Sequence, residues 1–322
     1  MTRTAPGRDA LIELQRSYHA GRISRDQLWS GVQACSKVIL QFGPLLQDGD
    51  VEAMELGRAG NLLRLRNGLR FEWNPDDLRS PPNMALIHGS YEPEERTLLE
   101  TLARDARTIL DVGANVGWYA VHLAKATKAG HLHAFEPIPA TGAALRRNLA
   151  LNDCEAKVTV HSFGLGERKA TVPFFIPKDV GTVAASRAPL FAEQENQELR
   201  CDIETLDAWS QASGISGIDL VKIDIEGSEL LFFRGGLATL GRNLPVIFCE
   251  MLRKWSAKFQ YHPNDIIAAL APLGYACWEL RPSGPRQVGA VTEETIATNF
   301  LFLHTARHMN VPAQLSGLHA HS

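Results

Sequence analysis

The sequence is short of several features that would narrow its class at once. No apolar run approaches the ~20 residues that a membrane-spanning helix needs. The opening Met1-Thr2-Arg3-Thr4-Ala5-Pro6 lacks the apolar stretch of a secretory leader. Cysteine is sparse: Cys35, Cys154, Cys201, Cys249 and Cys277 are odd in number, far apart and contain no Cys-x-x-Cys pair. Neither a zinc knuckle nor a disulfide framework is indicated, and reduced thiols in a cytoplasmic protein are expected. Lys and Arg are scattered and the formal net charge is −3. A neutral-to-acidic balance offers no electrostatic reason to expect nucleic acid as a partner. What is present is ample apolar material: 45% of 322 residues, enough for the core of a large α/β domain plus an additional segment.

The first 85 residues differ in pattern from the rest. Asp9 can cap a helix carrying Leu11, Leu14 and Tyr18, which Gly21 would end. Ser24-Arg25-Asp26-Gln27 reads as a capping box ahead of a second helix that stops at Gly43-Pro44. From Leu63 to Trp73, apolar and polar residues alternate on both sides of Asn67-Gly68, which predicts a β-hairpin. Arg79-Ser80-Pro81-Pro82-Asn83 reads as a linker. These residues are expected to form a lid or a dimer contact.

Residues 86–305 then alternate strands and helices. Strands are predicted at Thr108–Val112, His131–Phe135, Val158–His161, Ile218–Ile223 and Pro245–Glu250. The helices between and after them are Val116–Lys125, Pro139–Leu151, Gly227–Arg234 and Pro263–Leu273. Repeated βα units predict a parallel sheet with helices on both faces. The last two strands, Tyr275–Leu280 and Asn299–Leu303, have no helix between them, so one is expected to pair antiparallel at an edge. Pro177 to Gln197 is irregular and polar, a candidate substrate loop or lid. Residues 306–322, with His319 and His321, read as a tail.

The chemistry begins at Asp111-Val112-Gly113-Ala114-Asn115-Val116-Gly117, directly after the first strand and before a helix. Gly113 and Gly117 permit a sharp turn close to a ligand, beside the free N–H groups of a helix start. The next strand ends at Phe135-Glu136-Pro137. A carboxylate there can accept hydrogen bonds from both hydroxyls of an adenosine ribose; a solvated acid or helix cap is the alternative. The loop is not Gly-x-Gly-x-x-Gly, because Asn115 replaces the glycine that lets a pyrophosphate approach. Asp111 at the strand end suits the ammonium and sulfonium of S-adenosylmethionine and would repel phosphates. It could equally order the loop through backbone N–H groups.

These residues resemble the FkbM-type methyltransferase family. The resemblance rests on Asp111–Gly117, Phe135-Glu136-Pro137 and Val221-Lys222-Ile223-Asp224-Ile225-Glu226-Gly227. Ser90-Tyr91-Glu92-Pro93, Asn148, Asn152 and Cys201-Asp202-Ile203-Glu204-Thr205-Leu206-Asp207 add to it. It implies a class I methyltransferase (Rossmann-like) α/β fold with a seven-stranded mixed sheet, here carrying an N-terminal helical and β-hairpin extension. It also implies O-methylation by S-adenosylmethionine of a hydroxyl on a sugar, glycolipid or natural product. The expected cofactor set is Asp111, Gly113, Asn115, Gly117, Glu136, Tyr91, Phe163, Gly164 and Asp224.

An alcohol needs a base to become nucleophilic. Strand ends of an open α/β sheet are where ligands bind, and Asp224 and Glu250 stand at two of them. Asp224 is the first candidate for a catalytic or cofactor-contacting carboxylate, with a helix N-cap as its alternative. Glu226 reads as a first-turn helix acid and Glu250 as a lining residue. Lys222, inside an apolar strand, could be a base, an orienting charge or the partner of a nearby acid. Tyr91 could stack near the methionine portion or pack in the core. His88 and His262 are weaker candidates. Asp224, Glu226 and Glu250 could offer oxygen ligands to Mg²⁺, but Met251-Leu252-Arg253 lacks a further acid, so no metal is expected. Amine methylation and nicotinamide-dependent oxidation remain as alternatives.

Overall fold

The computed structural model describes residues 10–58, 60–77, 79–177, 185–190, 196–281 and 284–316. Asp9, His319, His321 and most of the segment between Pro177 and Gln197 lie outside them. Helices α1 (Ala10–His19) and α2 (Arg25–Ile39) form a hairpin. The expected capping box is there: Ser24 Oγ accepts from Gln27 N–H, and Gln27 Oε1 accepts from Ser24 N–H. Gly43-Pro44 does not end the helical path. It tightens into a 3₁₀ stretch, Leu40–Leu46, which accommodates Pro44. Strands β1 (Val51–Gly57), β2 (Gly60–Leu65) and β3 (Arg70–Glu72) form an antiparallel sheet, so the hairpin at Asn67-Gly68 has a third strand ahead of it.

The expected linker is instead a buried helix start. Pro81 and Pro82 occupy the first turn of α3 (Pro81–His88), where a missing N–H costs nothing, and both are buried. Helix α4 (Pro93–Ala103) leads to the large sheet. Its elements follow in order: β4 (Thr108–Val112), α5 (Trp118–Ala126), β5 (His131–Phe135), α6 (Pro139–Leu151) and β6 (Val158–His161). A small sheet comes next, made of β7 (Gly164–Leu165), β8 (Ala170–Pro177) and β9 (Asn196–Glu204) in the order β7-β9-β8. The chain returns through α7 (Leu206–Ser213), β10 (Leu220–Ile223), α8 (Glu229–Arg234), α9 (Leu237–Asn243) and β11 (Val246–Glu250). It closes with α10 (Arg253–Ser256), α11 (Pro263–Leu270), β12 (Tyr275–Glu279), β13 (Arg286–Val288), β14 (Asn299–His304) and α12 (Val311–Ser316).

The large sheet is mixed, with the order β13-β12-β14-β11-β10-β4-β5-β6. It has the expected strands plus the short β13 at one edge. β14 does not sit at an edge; it inserts antiparallel between β11 and β12. The reason is its continuous apolar run: Phe300, Leu301, Phe302 and Leu303 are all buried, as an interior strand covered on both faces requires. Part of the expected tail is also ordered, since α12 buries Leu315. Among the described residues no helix is long and apolar enough to cross a membrane.

The N-terminal sheet shares a core with the large one. Val51, Leu63, Leu65 and Phe71 pack in one cluster with Leu99, Trp118 and Leu145. Two asparagines of α6 fasten the join. Asn148 Oδ1 accepts from Glu72 N–H at 2.7 Å while its Nδ2 donates to Val116 C=O at 2.7 Å. Asn152 accepts from Arg70 N–H at 2.9 Å and donates to Arg70 C=O at 2.6 Å. They continue the edge of β3 with side-chain amides. By contrast, α1 and α2 bury no residue, and Trp29 and Leu40 are 57% and 74% exposed.

Asn148→Ala strands a backbone N–H on one side and a carbonyl on the other. A loss of about 1–3 kcal/mol is expected in urea denaturation. An unchanged midpoint would show that these bonds carry no stability.

Candidate active site

Two loops meet where the chain crosses from one half of the large sheet to the other. β4 and β10 are parallel neighbours that end in register at Val112 and Ile223. Gly113 turns the chain at φ 83°, and the N–H groups of Gly113 and Ala114 both donate to Phe135 C=O at 3.1 Å. A Cβ on Gly113 would run into the carbonyl oxygen of Asp224, and one on Gly117 into the Leu145 side chain. The expectation that these glycines clear space for a ligand is corrected in its reason. The space they leave is filled by the β10 loop and by α6.

Asn115 holds a left-handed φ of 49°, steadied by Val116 N–H donating to its Oδ1 at 2.7 Å. That turn aims Asn115 N–H at Glu136 Oε2, 2.9 Å away, while Ile138 N–H donates to Glu136 Oε1 at 2.8 Å. Glu136 therefore knits the loops after β4 and β5. It is 6% exposed, and burial raises its pKa to about 7 despite those two donors.

Behind the loops lies a buried charge network. Lys222 Nζ stands 3.4 Å from Gly113 C=O and from Asp224 Oδ2, and 3.7 Å from Asp111 Oδ1. It also lies over the Tyr119 ring, 5.2 Å from its centroid. Burial opposes the lysine charge, but the carboxylates of Asp224, Asp111 and Glu92 outweigh it and hold the pKa above the ordinary value. Asp111 is fully buried; among the described residues the Lys222 ammonium faces its carboxylate and no hydrogen bond reaches it, and burial raises its pKa. Glu92, at a left-handed φ of 45°, accepts from Tyr119 Oη at 2.6 Å.

Carboxylate oxygens of Asp224, Glu226 and Glu250 lie within 4.8 Å of one another. Burial first, then the charge of Asp224, pushes Glu226 and Glu250 well above the usual carboxylate range. Asp224 does not cap α8. That helix starts at Glu229, and the Asp224 carboxylate faces Lys222 instead. Nor is Glu226 a first-turn acid, since it precedes the helix at φ 52°. The turn is held by Glu229, whose Oε1 accepts from Gly227 N–H at 2.9 Å and whose Oε2 accepts from Tyr261 Oη at 2.9 Å.

The structure gathers much of the expected set around one cavity. Tyr91, Gly113, Asn115, Glu136, Gly164, Lys222 and Asp224 line it. Asp111, Gly117, Phe163 and Glu250 do not: Asp111 sits beneath it, and Phe163 packs on Phe135, 5.8 Å between rings. His88 is exposed at the end of α3. His262 caps α11 in a capping box with Asp265, a helix-start role. Sequence reasoning missed the contributions of Glu92, Trp118, Tyr119, Glu229 and Arg187. Glu92 and the aromatic pair after Gly117 stood beside recognised motifs. Arg187 had no readable signal.

With this geometry in view, the comparisons with known proteins decide the family. The family model described as the methyltransferase FkbM domain matches residues 111–277, just over half of the chain. The chain belongs to the FkbM methyltransferase family. It is 28% identical over 205 residues to 2-O-methyltransferase NoeI of Sinorhizobium fredii, a match covering 59% of this chain and 79% of that protein. It is also 28% identical over 152 residues to methyltransferase 1 of Beauveria bassiana, covering 41% of this chain. There the chain spans only 59% of the relative's length. Among solved structures, a methyltransferase FkbM from Methylobacillus flagellatus KT aligns with a TM-score of 0.40 at 18% identity, over 69% of this chain and 52% of that one.

The Glu136 carboxyl gives this site a pH signature. Its folded-state value of about 7 lies above the ordinary 4.5. The protonated folded form therefore adds stability that is complete below pH 4.5 and is lost as pH rises through 7. In the ligand-free protein, Glu136→Gln is expected to gain in unfolding free energy relative to wild type between pH 5 and 8, on the order of 1–3 kcal/mol in urea denaturation. A gap independent of pH would contradict the raised value.

Proposed function

We propose that this family member is an S-adenosylmethionine-dependent O-methyltransferase acting on a hydroxyl of a small molecule such as a sugar, glycolipid or natural product. The observation that carries the proposal is the placement of Glu136 against the Gly113–Asn115 turn in the same cavity as the Lys222–Asp224 pair. Each Glu136 oxygen already accepts one backbone N–H, which leaves lone pairs for the two ribose hydroxyls. Asp224, with Asp111 beneath, supplies negative charge for the ammonium and sulfonium. The faces of Tyr91 and Trp118 suit a sulfonium through cation–π attraction.

In the transfer step the acceptor oxygen attacks the methyl carbon in line, the carbon–sulfur bond breaks, and S-adenosylhomocysteine leaves. Asp224, which lines the cavity, is the carboxylate assigned to receive the hydroxyl proton; Glu250, outside the lining and held toward its protonated form, is not. Lys222 is not assigned as a base, because its neighbours keep it charged; it orients Asp224 and the Gly113 carbonyl. O-transfer is favoured by the likeness to a 2-O-methyltransferase. N-methylation of an amine is the second reading, favoured by the surplus of carboxylates at Glu226 and Glu250. Five free thiols fit a cytoplasmic setting. The exposed apolar side chains of α1 and α2 are assigned to a homodimer contact. Light scattering should show Trp29→Glu at half the wild-type mass, and equal masses would refute the contact.

Calorimetry should show S-adenosylhomocysteine binding at micromolar affinity or better and no binding of NAD(H). Glu136→Ala should weaken the former by about 1–3 kcal/mol. Failure of S-adenosylhomocysteine to bind would overturn the proposal. Once an acceptor is in hand, Asp224→Asn should lower turnover while the fold is kept, and EDTA should leave the rate unchanged. Loss of activity in EDTA would turn Asp224, Glu226 and Glu250 into a metal site.

A further inference from the structure

The segment between β8 and β9 was expected to be a substrate loop, and its described part, residues 185–190, reaches into the cavity. Ser186 fixes it there. Its backbone pairs with Phe175 in both directions, at 2.8 and 3.2 Å, and its Oγ donates to Glu226 C=O at 2.7 Å. The next residue, Arg187, is thus carried on a strap tied at one end to the small sheet and at the other to the turn that holds Asp224. Arg187 lines the cavity, and burial lowers its pKa. Among the described residues its guanidinium has no carboxylate within ion-pair distance and no hydrogen bond. The nearby Glu167 carboxylate pairs instead with Arg234 at 3.7 Å. A Cβ at Gly166 would come within 3.3 Å of Arg187 Nη1, so the glycine keeps the guanidinium's space open. Among the described residues nothing accepts from this half-buried guanidinium, which leaves its donors free to meet a ligand in the cavity.

The two ends of the cavity differ in chemistry, and that difference identifies the acceptor. One end carries Lys222, Asp224 and Glu226, beside Tyr91 and Tyr119, and suits a charged amino-acid tail. The other, beyond Glu136, is walled by Ile138, Leu165, Phe174 and Ile203, and Arg187 is its one charge among the described residues. Apolar walls fit the faces of a flat heterocycle, and a donor-only guanidinium fits ring nitrogens that only accept. We propose that Arg187 binds the adenine base of the methyl donor, donating to a ring nitrogen between the apolar walls of the cavity. This rests on the assignment of S-adenosylmethionine above.

The test is calorimetric titration with two probes, S-adenosylhomocysteine and 5′-methylthioadenosine, which keeps the base and ribose and lacks the amino-acid tail. Arg187→Met, which preserves the length of the side chain, should weaken both probes by the same factor, about tenfold. Arg187→Lys should remain weakened, because an ammonium cannot reproduce the planar fork. Asp224→Asn should weaken S-adenosylhomocysteine and spare 5′-methylthioadenosine. Unchanged affinities in a folded Arg187→Met, with wild type binding both probes, would overturn the proposal and leave Arg187 to an anionic group on the methyl acceptor. Weakening of S-adenosylhomocysteine alone would also overturn it, by placing Arg187 on the tail carboxylate. If wild type binds neither probe, it is the methyl-donor assignment that fails, a result distinct from both.

Discussion

The ammonium of Lys222 is the charge around which the site is organised. A buried cation is tolerable only when oxygen atoms surround it. Here they come from two stretches of chain: Asp111 on β4 with the Gly113 carbonyl just after it, and Asp224 just after β10. Meeting that requirement draws the ends of two parallel strands together. It also accounts for Gly113, since the Asp224 backbone closes in so far that no side chain fits between. Once the turn at Gly113 is set, the left-handed Asn115 presents its N–H to Glu136, and the loop after β5 is tied to the loop after β4. The placement of the carboxylates that face the cavity follows from the need to neutralise one lysine.

The result is a cavity with a polarity gradient. Glu92, Asp224, Glu226 and Glu250 outnumber the single lysine among them, so burial and mutual repulsion hold Glu226 and Glu250 toward the protonated form. A cationic ligand would relieve that repulsion and release the protons. Binding at this end is therefore coupled to pH through several groups at once, and their titrations belong to the cluster and not to single residues.

Features set by local chemistry were legible in the sequence. The turn at Asp111–Gly117, the strand-end position of Glu136 and the capping box at Ser24 depend on neighbours a few residues away, and the structure has them. Features that depend on distant partners were not. Pro81-Pro82 has the composition of a linker, yet becomes a buried helix start, with Ala85 and Leu86 of the same helix in the core shared with the N-terminal sheet. Gly113 makes the sharp turn its sequence position suggests, but its tight neighbour is a carbonyl 111 residues later in the chain. The strands of the small sheet alternate too weakly to stand out, and their core is a handful of residues around Phe174 and Ile203. Arg187 could not be recognised because what places it on the cavity, the pairing of Ser186 with Phe175 and with the Glu226 carbonyl, joins residues far apart in sequence.

The asparagine of α6 that bridges β3 and the start of α5 has a consequence for how this protein can be divided. Asn148 spends one end of its amide on Glu72 and the other on Val116, inside the glycine turn. The N-terminal sheet is thus a wall of the same room as the glycine turn, not an annexe. Cutting the chain at the start of the recognised domain would expose Phe71's side of the core and leave that amide, and its neighbour Asn152, facing water where backbone had been. Swapping acceptor preference between relatives by exchanging N-terminal regions would then succeed only if β3 and α6 travel together.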